Sequence, residues 1–521
     1  MEAKLYYAGL PSKPVLVART GIPWEAPTGP EAYPRIKELR AVGNHAITNI
    51  WEGILHLEIH GLLDEMKVEW TSTDIVRIGN AGESYPPVIL WIGVKPASLD
   101  GGNGAVIALK CRQILIKFDI IDVNVEIRES IVTRLIGPKL LKPIYSTNPT
   151  VDFRERLTST LGLPICARST PWAEGTGGFF ITEGGNTNRL LLITARHVVL
   201  VPNKHDNKHF ERENTSQRRH DITLFGDRGF EKYLESIKHE IQAKTYAIQL
   251  QEKRIRTIGG EDSPEANTER QDIQIEIHKA KRAVEALNTF YQDVSTRWAT
   301  RESRILGHVI LSPPINVGVG NNSEGYTEDW AAIEIDTSKI DASNFDGNTI
   351  DLGTHISPYD FTCMMYPNPR NSHCFEYPDN RLLRLRGAIP DEEMRCPTSF
   401  DQHNEPCLMV IKHGSATGLT IGRANNICSY VRYYEYFDKE GEISKEWAIL
   451  PRDSKSGVFS AEGDSGSVII DGRGRIGGLL TGGTGVTDST DITFATPINF
   501  LLKRMQDNGL SQPNISPVLT A

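Results

Sequence analysis

The chain has 521 residues, 39% hydrophobic and 24% charged, with a formal net charge of −9. That is long enough for roughly two to four domains with well-buried cores. The acidic balance argues against general nucleic-acid binding, which needs a basic face, and no stretch approaches the ~20 apolar residues of a membrane span. The N-terminal Met1-Glu2-Ala3-Lys4-Leu5 carries no apolar signal region, so a cytoplasmic, intracellular protein is expected. Residues 1–150 read as a separate α+β domain of unknown role. Helical spacing runs from Tyr33 to Leu63 through Ile36, Leu39, Val42, Ile47, Ile50 and Ile54, and a second helix is predicted over Ala105–Phe118. Pro87–Val94 is a buried strand by its continuous apolar run, and Val123–Val132 alternates like a half-exposed one. Pro138–Pro149 reads as a linker.

Next comes Gly175-Thr176-Gly177-Gly178-Phe179-Phe180-Ile181, a glycine-containing strand, and then Leu191-Leu192-Ile193-Thr194-Ala195-Arg196-His197-Val198-Val199. The latter is a buried strand that delivers a histidine to a turn. Residues 229–301 are of another kind. Phe230, Leu234, Ile237, Ile241, Ile248 and Ile255 form one apolar series. Ile273, Ile277, Ala280, Val284, Leu287, Tyr291, Val294 and Trp298 form another, at alternating steps of four and three. This is a heptad seam. Gly259-Gly260 stops the first helix and Ser263-Pro264 starts the second. The pattern predicts an antiparallel coiled-coil hairpin whose arms, each ~30 residues, project ~45 Å. It is expected to bury its own seam and to be separable from the rest, either as a spacer or dimer arm or as a docking and regulatory arm.

Asp329 then opens the alternating string Asp329-Trp330-Ala331-Ala332-Ile333-Glu334-Ile335. With the insertion set aside, the distance from His197 to Asp329 suits one small barrel. Residues 366–406, rich in Pro, Asn, Asp and Cys, read as a long irregular loop, and Val410–Gly422 as a hairpin with glycines at its turn. Gly463-Asp464-Ser465-Gly466-Ser467 follows. A serine with glycines two before and one after it is a nucleophile signature, because the backbone must turn sharply and aim N–H groups at a carbonyl. A side chain at Gly463 is expected to crowd that site. Seven cysteines stand scattered without a Cys-x-x-Cys pair, which points to free thiols in a reduced compartment. The spacing of Cys363, His373, Cys374 and Cys396 is too irregular for a zinc motif, so no metal and no cofactor is expected.

The order His, Asp, Ser is the chymotrypsin order, and here the chain resembles the trypsin/chymotrypsin-like serine peptidases. Thr194-Ala195-Arg196-His197 is similar to that family's Thr-Ala-Ala-His block with one change. Asp329–Ile333 is similar to Asp-Ile-Ala-Leu-Leu, and Gly463–Ser467 to Gly-Asp-Ser-Gly-Gly except at its last position. Arg475–Gly483 resembles the substrate-binding strand after the nucleophile, and Phe494–Ile498 leads into a segment like the C-terminal helix. The likeness covers roughly residues 160–507 outside the insertion. In overall style it is similar to large intracellular trypsin-like proteins of fungi.

The resemblance implies a double β-barrel: 151–345 for the first barrel with its insertion, 346–508 for the second barrel and a helix, and a tail over 509–521. It implies a serine endopeptidase with catalytic His197, Asp329 and Ser465, and an oxyanion hole from the N–H groups of Gly463 and Ser465. Phe459 would floor the specificity pocket and favour a small or medium apolar P1 residue. Thr481, Gly482 and Gly483 would form its wall and bind substrate backbone. The substrate would be a protein or peptide. In secreted relatives the aspartate matching Asp464 pairs with a newly released N-terminal amine. Either another group orders the Gly463 loop here, or the enzyme is latent until an activator binds the N-terminal domain or the hairpin. An inert scaffold of the same fold, and an esterase or acyltransferase, are the other readings.

Overall fold

The structure, a computed structural model, describes residues 2–519 except 11, 13, 26–35, 132–136, 185–188, 215, 261–262, 321–323, 373–374, 435–440 and 486–489. The chain divides into two units, Met1–Leu135 and Ile136–Ala521.

In the first unit five strands stand in the order Leu16–Arg19, Asn124–Glu129, Val88–Val94, Trp70–Asn80 and Lys37–Arg40. Val88–Val94 and Asn124–Glu129 are parallel, so a crossover must join them. Helix Gly101–Lys117 supplies it, with the Asp100 carboxylate accepting the N–H groups of Gly102 and Asn103 at its start. Val88–Val94 is buried along its whole length, because one sheet face packs on Ile107, Cys111 and Leu115 and the other on Tyr6, Tyr7 and Leu10. Of the helical spacing read over Tyr33–Leu63, residues 33–35 lie outside the described residues and the rest resolves differently. Lys37–Arg40 is a strand paired with Trp70–Asn80. Helical turns begin only at Ala46 and become a regular α-helix over His56–Glu65. Leu39 is exposed, so its apolar spacing marks an edge strand and no buried helix face.

The second unit holds two closed antiparallel sheets. The first runs Glu174–Gly177, Leu163–Ala167, Asp221–Leu224, Ile305–Ser312, Ala331–Ile335, Leu190–Thr194 and Phe179–Thr182. Its two outer strands are consecutive in the chain with only Gly178 between them, so the sheet closes into a barrel. The second sheet contains Glu442–Pro451, Gly418–Ala424, Leu408–Gly414, Val468–Asp471, Ile476–Thr484 and Ile492–Pro497 in that order. It closes where Trp447 pairs with Ala495. Strand Tyr326–Glu328 leads from the first barrel's side onto the second sheet, and Thr496 Oγ1 donates to Thr327 O at 2.9 Å.

Two long helices, Asp227–Ile258 and Pro264–Arg297, run between strands Asp221–Leu224 and Ile305–Ser312. Gly259 ends the first at a φ of +59°, and the Ser263 hydroxyl accepts the Ala266 N–H to start the second. Toward the tip Ile241, Ile248, Ile277 and Val284 are half-buried, and Arg254–Glu269 and Lys281–Glu252 pair across the helices. The base departs from the expectation of a self-contained seam. Phe230, Tyr233, Ile237, Leu287, Phe290, Val294 and Trp298 belong to the same apolar cluster as the first barrel's Leu163, Phe180 and Leu192. The hairpin is therefore rooted in the barrel core. Within residues 366–406 there is a short strand, Leu382–Arg384, and a helical turn, Asp391–Arg395. Among the described residues no helix is long and apolar enough to cross a membrane.

Candidate active site

Strand Leu190–Thr194 is buried throughout and ends in the one-turn helix Arg196–Val199 that bears His197. The adjacent strand Ala331–Ile335 pairs Ala331 with Thr194, which brings the preceding Asp329 beside the histidine. Asp329 Oδ2 lies 2.5 Å from His197 Nδ1, and Oδ1 accepts the His197 N–H at 3.2 Å. The aspartate side chain is 6% exposed and the imidazole 26%. Burial pushes the His197 pKa down, but the charge and hydrogen bond of Asp329 outweigh it and hold it above the ordinary 6.5. A carboxylate on Nδ1 fixes the tautomer with Nε2 unprotonated and free to accept a proton.

Arg196, at the position of the one change in that block, is buried. Its Nη1 donates to Ser312 Oγ at 2.9 Å and to the carbonyls of Ser312 and Pro313. Its Nη2 donates to the carbonyls of Asp206 and Lys208. It ties two loops to the root of the histidine turn.

Ser465 sits on the turn before strand Val468–Asp471. Asp464 N–H donates to Ala461 O at 3.0 Å, and Gly463, third of the four, has a φ of +99°. A positive φ at that place defines a type II turn and selects glycine. The expected crowding lies elsewhere: a Cβ at Gly463 would meet nothing closer than Ala416 Cβ at 3.3 Å, whereas one at Gly466 would strike Thr176 O and Thr194 Oγ1 at 2.3 Å. Gly466 thus lets the serine turn lie against the histidine strand. Among the described residues, neither the Gly463 nor the Ser465 N–H is donated to the protein's own backbone or side chains. No hydrogen bond joins Ser465 Oγ to His197. In unliganded sites that bond is often long and tightens when substrate binds.

Residues outside the three strings hold the turn. Buried Thr176 donates its N–H to Ser465 O at 2.8 Å and its hydroxyl to Gly463 O at 2.9 Å. Thr194 Oγ1 donates to Thr176 O at 2.7 Å, so one hydroxyl chain links the histidine strand to the serine turn. Asp464 is fully buried and accepts from the N–H groups of Ala416, Thr417 and Ala461, from Thr417 Oγ1, and from Lys412 Nζ at 3.1 Å. Burial pushes the Lys412 pKa down while Asp464 opposes the fall. Glu446, also buried, takes Ser444 Oγ at 2.6 Å and Thr327 Oγ1 at 2.5 Å. Burial pushes its carboxyl up to about 7, against those two hydroxyls and with help from the charge of Asp329.

Of the residues expected to form a pocket, Phe459 is 1% exposed within the second barrel's core, beside Trp447 and Leu480, with Lys412 Nζ 5.9 Å from its ring centre. Thr481 is the extra residue of a bulge between Leu480 and Gly482. Strand Ile476–Thr484 pairs with Val468–Asp471 only as far as Leu479, so along Thr481–Gly483 that side is an open edge among the described residues. Described residues include no group of three or more His, Cys, Asp or Glu side chains able to hold a metal. His373 and Cys374 lie outside the described residues.

No family model and no curated protein matches the chain. Among solved structures, it is similar to a glutamic-acid-specific serine protease that uses a histidine triad in substrate binding. The match has 11% identity and a TM-score of 0.28, and covers 66% of this chain and 96% of that one. It is also similar to the Rv3671c protease of M. tuberculosis in its active form, with 12% identity, a TM-score of 0.24, and 75% and 99% covered. Cellulomonas bogoriensis chymotrypsin matches at 16% identity and a TM-score of 0.19, over 38% of this chain and 72% of that one.

Proposed function

We propose that the chain is a serine endopeptidase that cleaves peptide bonds through an acyl-enzyme. The observation that carries this is the buried carboxylate of Asp329, 2.5 Å from Nδ1 of His197, just after barrel strand Leu190–Thr194, which is joined through Thr194 and Thr176 to the Ser465 turn. A serine hydroxyl is a weak nucleophile and needs an adjacent base. Ser465 Oγ attacks the carbonyl carbon and His197 Nε2 takes its proton, while Asp329 stabilises the imidazolium. The carbonyl oxygen becomes an oxyanion held by the N–H groups of Gly463 and Ser465, each worth ~3 kcal/mol in the transition state. The C–N bond then breaks as His197 returns the proton to the leaving amine. Water, deprotonated by His197, hydrolyses the ester and restores the serine.

Substrate backbone pairs along the open edge at Thr481–Gly483 by strand addition. Phe459, clustered with Leu480 in the core of the same barrel, presents no carboxylate to a basic residue, and a small or medium apolar P1 side chain is the preference proposed. The two stapled carbonyls and the buried Asp464 favour a turn that is ordered without an activating partner over the latent form. An activator acting through the first unit or the hairpin then adjusts a turn that already exists.

The test is fluorophosphonate labelling of the native full-length protein, with fluorescein-casein hydrolysis beside it. Label on Ser465 and turnover that both vanish in Ser465→Ala support the reading. A folded protein that neither labels nor hydrolyses leaves an inert scaffold. Labelling with ester but no casein turnover points to an esterase or acyltransferase. Casein hydrolysis that rises only on adding cell extract, or on removing residues 1–135, restores the latent form.

A further inference from the structure

Lys412 follows four apolar residues in strand Leu408–Gly414, whose seven residues are all buried, and His413 beside it pairs with Glu155. Its side chain and that of Asp464 are both 0% exposed. Taking two such charges from water costs more than an exposed pair returns, and breaking the pair leaves an uncompensated buried charge. The ammonium has three N–H bonds to place, and all three are placed: on Asp464 Oδ2, on Gly418 O at 3.0 Å, and on Thr417 Oγ1. Its position is therefore fixed from three directions. Asp464 in turn is fixed at both oxygens, with Oδ1 on the Ala416 and Thr417 N–H groups and Oδ2 on Thr417 Oγ1, the Ala461 N–H and Lys412.

Asp464 lies between Gly463 and Ser465, the residues whose N–H groups are free. The peptide plane carrying the Ser465 N–H includes the Asp464 Cα, C and O, and the one carrying the Gly463 N–H is the central peptide of the Ala461–Asp464 turn, which Asp464 closes through its N–H to Ala461 O and its Oδ2 to the Ala461 N–H. Rotating the Ser465 plane would drag the carboxylate out of its socket and strand the ammonium, and rotating the Gly463 plane would break the turn that Asp464 closes. We propose that Lys412 is a positioning residue for the reaction: its buried charge, acting through Asp464, holds the Gly463–Ser465 turn with both N–H groups available to the oxyanion. This rests on the serine-peptidase reading and deepens it, since the chain supplies from its own strand the cation that orders the nucleophile turn.

The test compares the wild-type full chain with Lys412→Met and with the double variant Lys412→Met/Asp464→Asn. The double variant removes both charges and keeps an acceptor for the Ala416 and Thr417 N–H groups. Folding is read by thermal melting. Acylation is read with 4-nitrophenyl acetate and fluorophosphonate, and kcat and KM with fluorescein-casein. A folded double variant should lose about a hundredfold in acylation rate and kcat, as when an oxyanion donor is removed. Its KM should stay near wild type, because ground-state contacts at Thr481–Gly483 are untouched. Wild-type kcat in the folded double variant overturns the proposal, as does failure of both variants to fold, which makes the pair a folding element only. A wild-type chain that never acylates at Ser465 is a separate result, since it removes the peptidase reading itself.

Discussion

Replacing Glu446 by Gln should make the protein more stable at alkaline pH and leave it nearly unchanged at acid pH. The carboxyl is 0% exposed, and burial lifts it from 4.5 to about 7. A carboxyl raised in the folded state holds its proton there more tightly than in the unfolded chain. Its favourable contribution is complete below the unfolded value of 4.5 and is lost as pH rises through about 7. Above that, the folded state bears a buried anion beside Asp329. Each tenfold difference in proton affinity between the folded and unfolded chain is worth about 1.4 kcal/mol, so the penalty at pH 8.5 is about 3 kcal/mol. Glutamine keeps the shape, and its carbonyl can accept the Ser444 and Thr327 hydroxyls that now reach Oε1. The assay is thermal unfolding across roughly pH 4.5 to 8.5 in a Ser465→Ala background, which removes self-digestion. The two melting curves should converge at the acid end, separate between about pH 5 and about 7, and stay apart above that, with Glu446→Gln the more stable. Parallel profiles, or a variant less stable by a constant amount throughout, would refute the argument that a buried proton is held here.

Three further outcomes follow from the same geometry. His197 must be neutral to act as base and its pKa is raised, so casein kcat/KM should climb with pH through a midpoint above 6.5. Asp329→Asn should lower that midpoint and cut kcat by about ten-thousandfold; an unmoved acid limb contradicts the pairing. Deleting residues 242–282 behind a short Gly/Ser turn should leave melting close to wild type. Deleting 229–301 should abolish folding, because it strips Phe230, Tyr233, Leu287 and Trp298 from the barrel core, each worth ~2 kcal/mol; equal stability of the two deletions shows that the base is not rooted. Arg196→Met strands carbonyls of Ser312, Pro313 and Lys208 and should cost about 3 kcal/mol or more in denaturant unfolding. A loss under about 1 kcal/mol, small for a buried charged donor, would mean these hydrogen bonds are replaced by solvent.

The meeting of His197 with Asp329 was readable because each stands at the end of an apolar string, and strand ends deliver side chains to a predictable place. The helix end at Gly259 and the helix start at Ser263 were readable for the same reason, since caps are local. What holds the site was not local. Thr176 sits in a glycine-rich strand that could have served only for close packing, and its grip on Gly463 and Ser465 crosses nearly 290 positions (|i−j| of 287 to Gly463). Lys412 did leave a trace, a lone cation within Leu408–Gly414, but no pattern names its partner. Glu446 left a similar one, between Lys445 and Trp447 in a strand otherwise buried at Ala448 and Ile449. Lys37–Arg40 misled because a four-residue charged edge strand shows neither period, and only its ladder with Trp70–Asn80 defines it. Tyr233 and Phe290 fall outside a strict four-three repeat, since at the base the helices face a barrel as well as each other.

The rooted hairpin also bears on how the first barrel finds its pairing. Leu224 and Arg304 are hydrogen-bonded at 2.9 Å, and Ile222 faces Gly307 across the ladder. As a flexible loop, the ~80 residues between those strands would cost about 2.7 kcal/mol more to close than a four-residue turn. Helices zip in microseconds from local contacts, and two that fold back on each other return the chain to its starting point. To the strands Asp221–Leu224 and Ile305–Ser312, the insertion then behaves as a short turn. The search for their register proceeds as though most of the intervening sequence were missing, and tip length can vary with little effect on the folding rate.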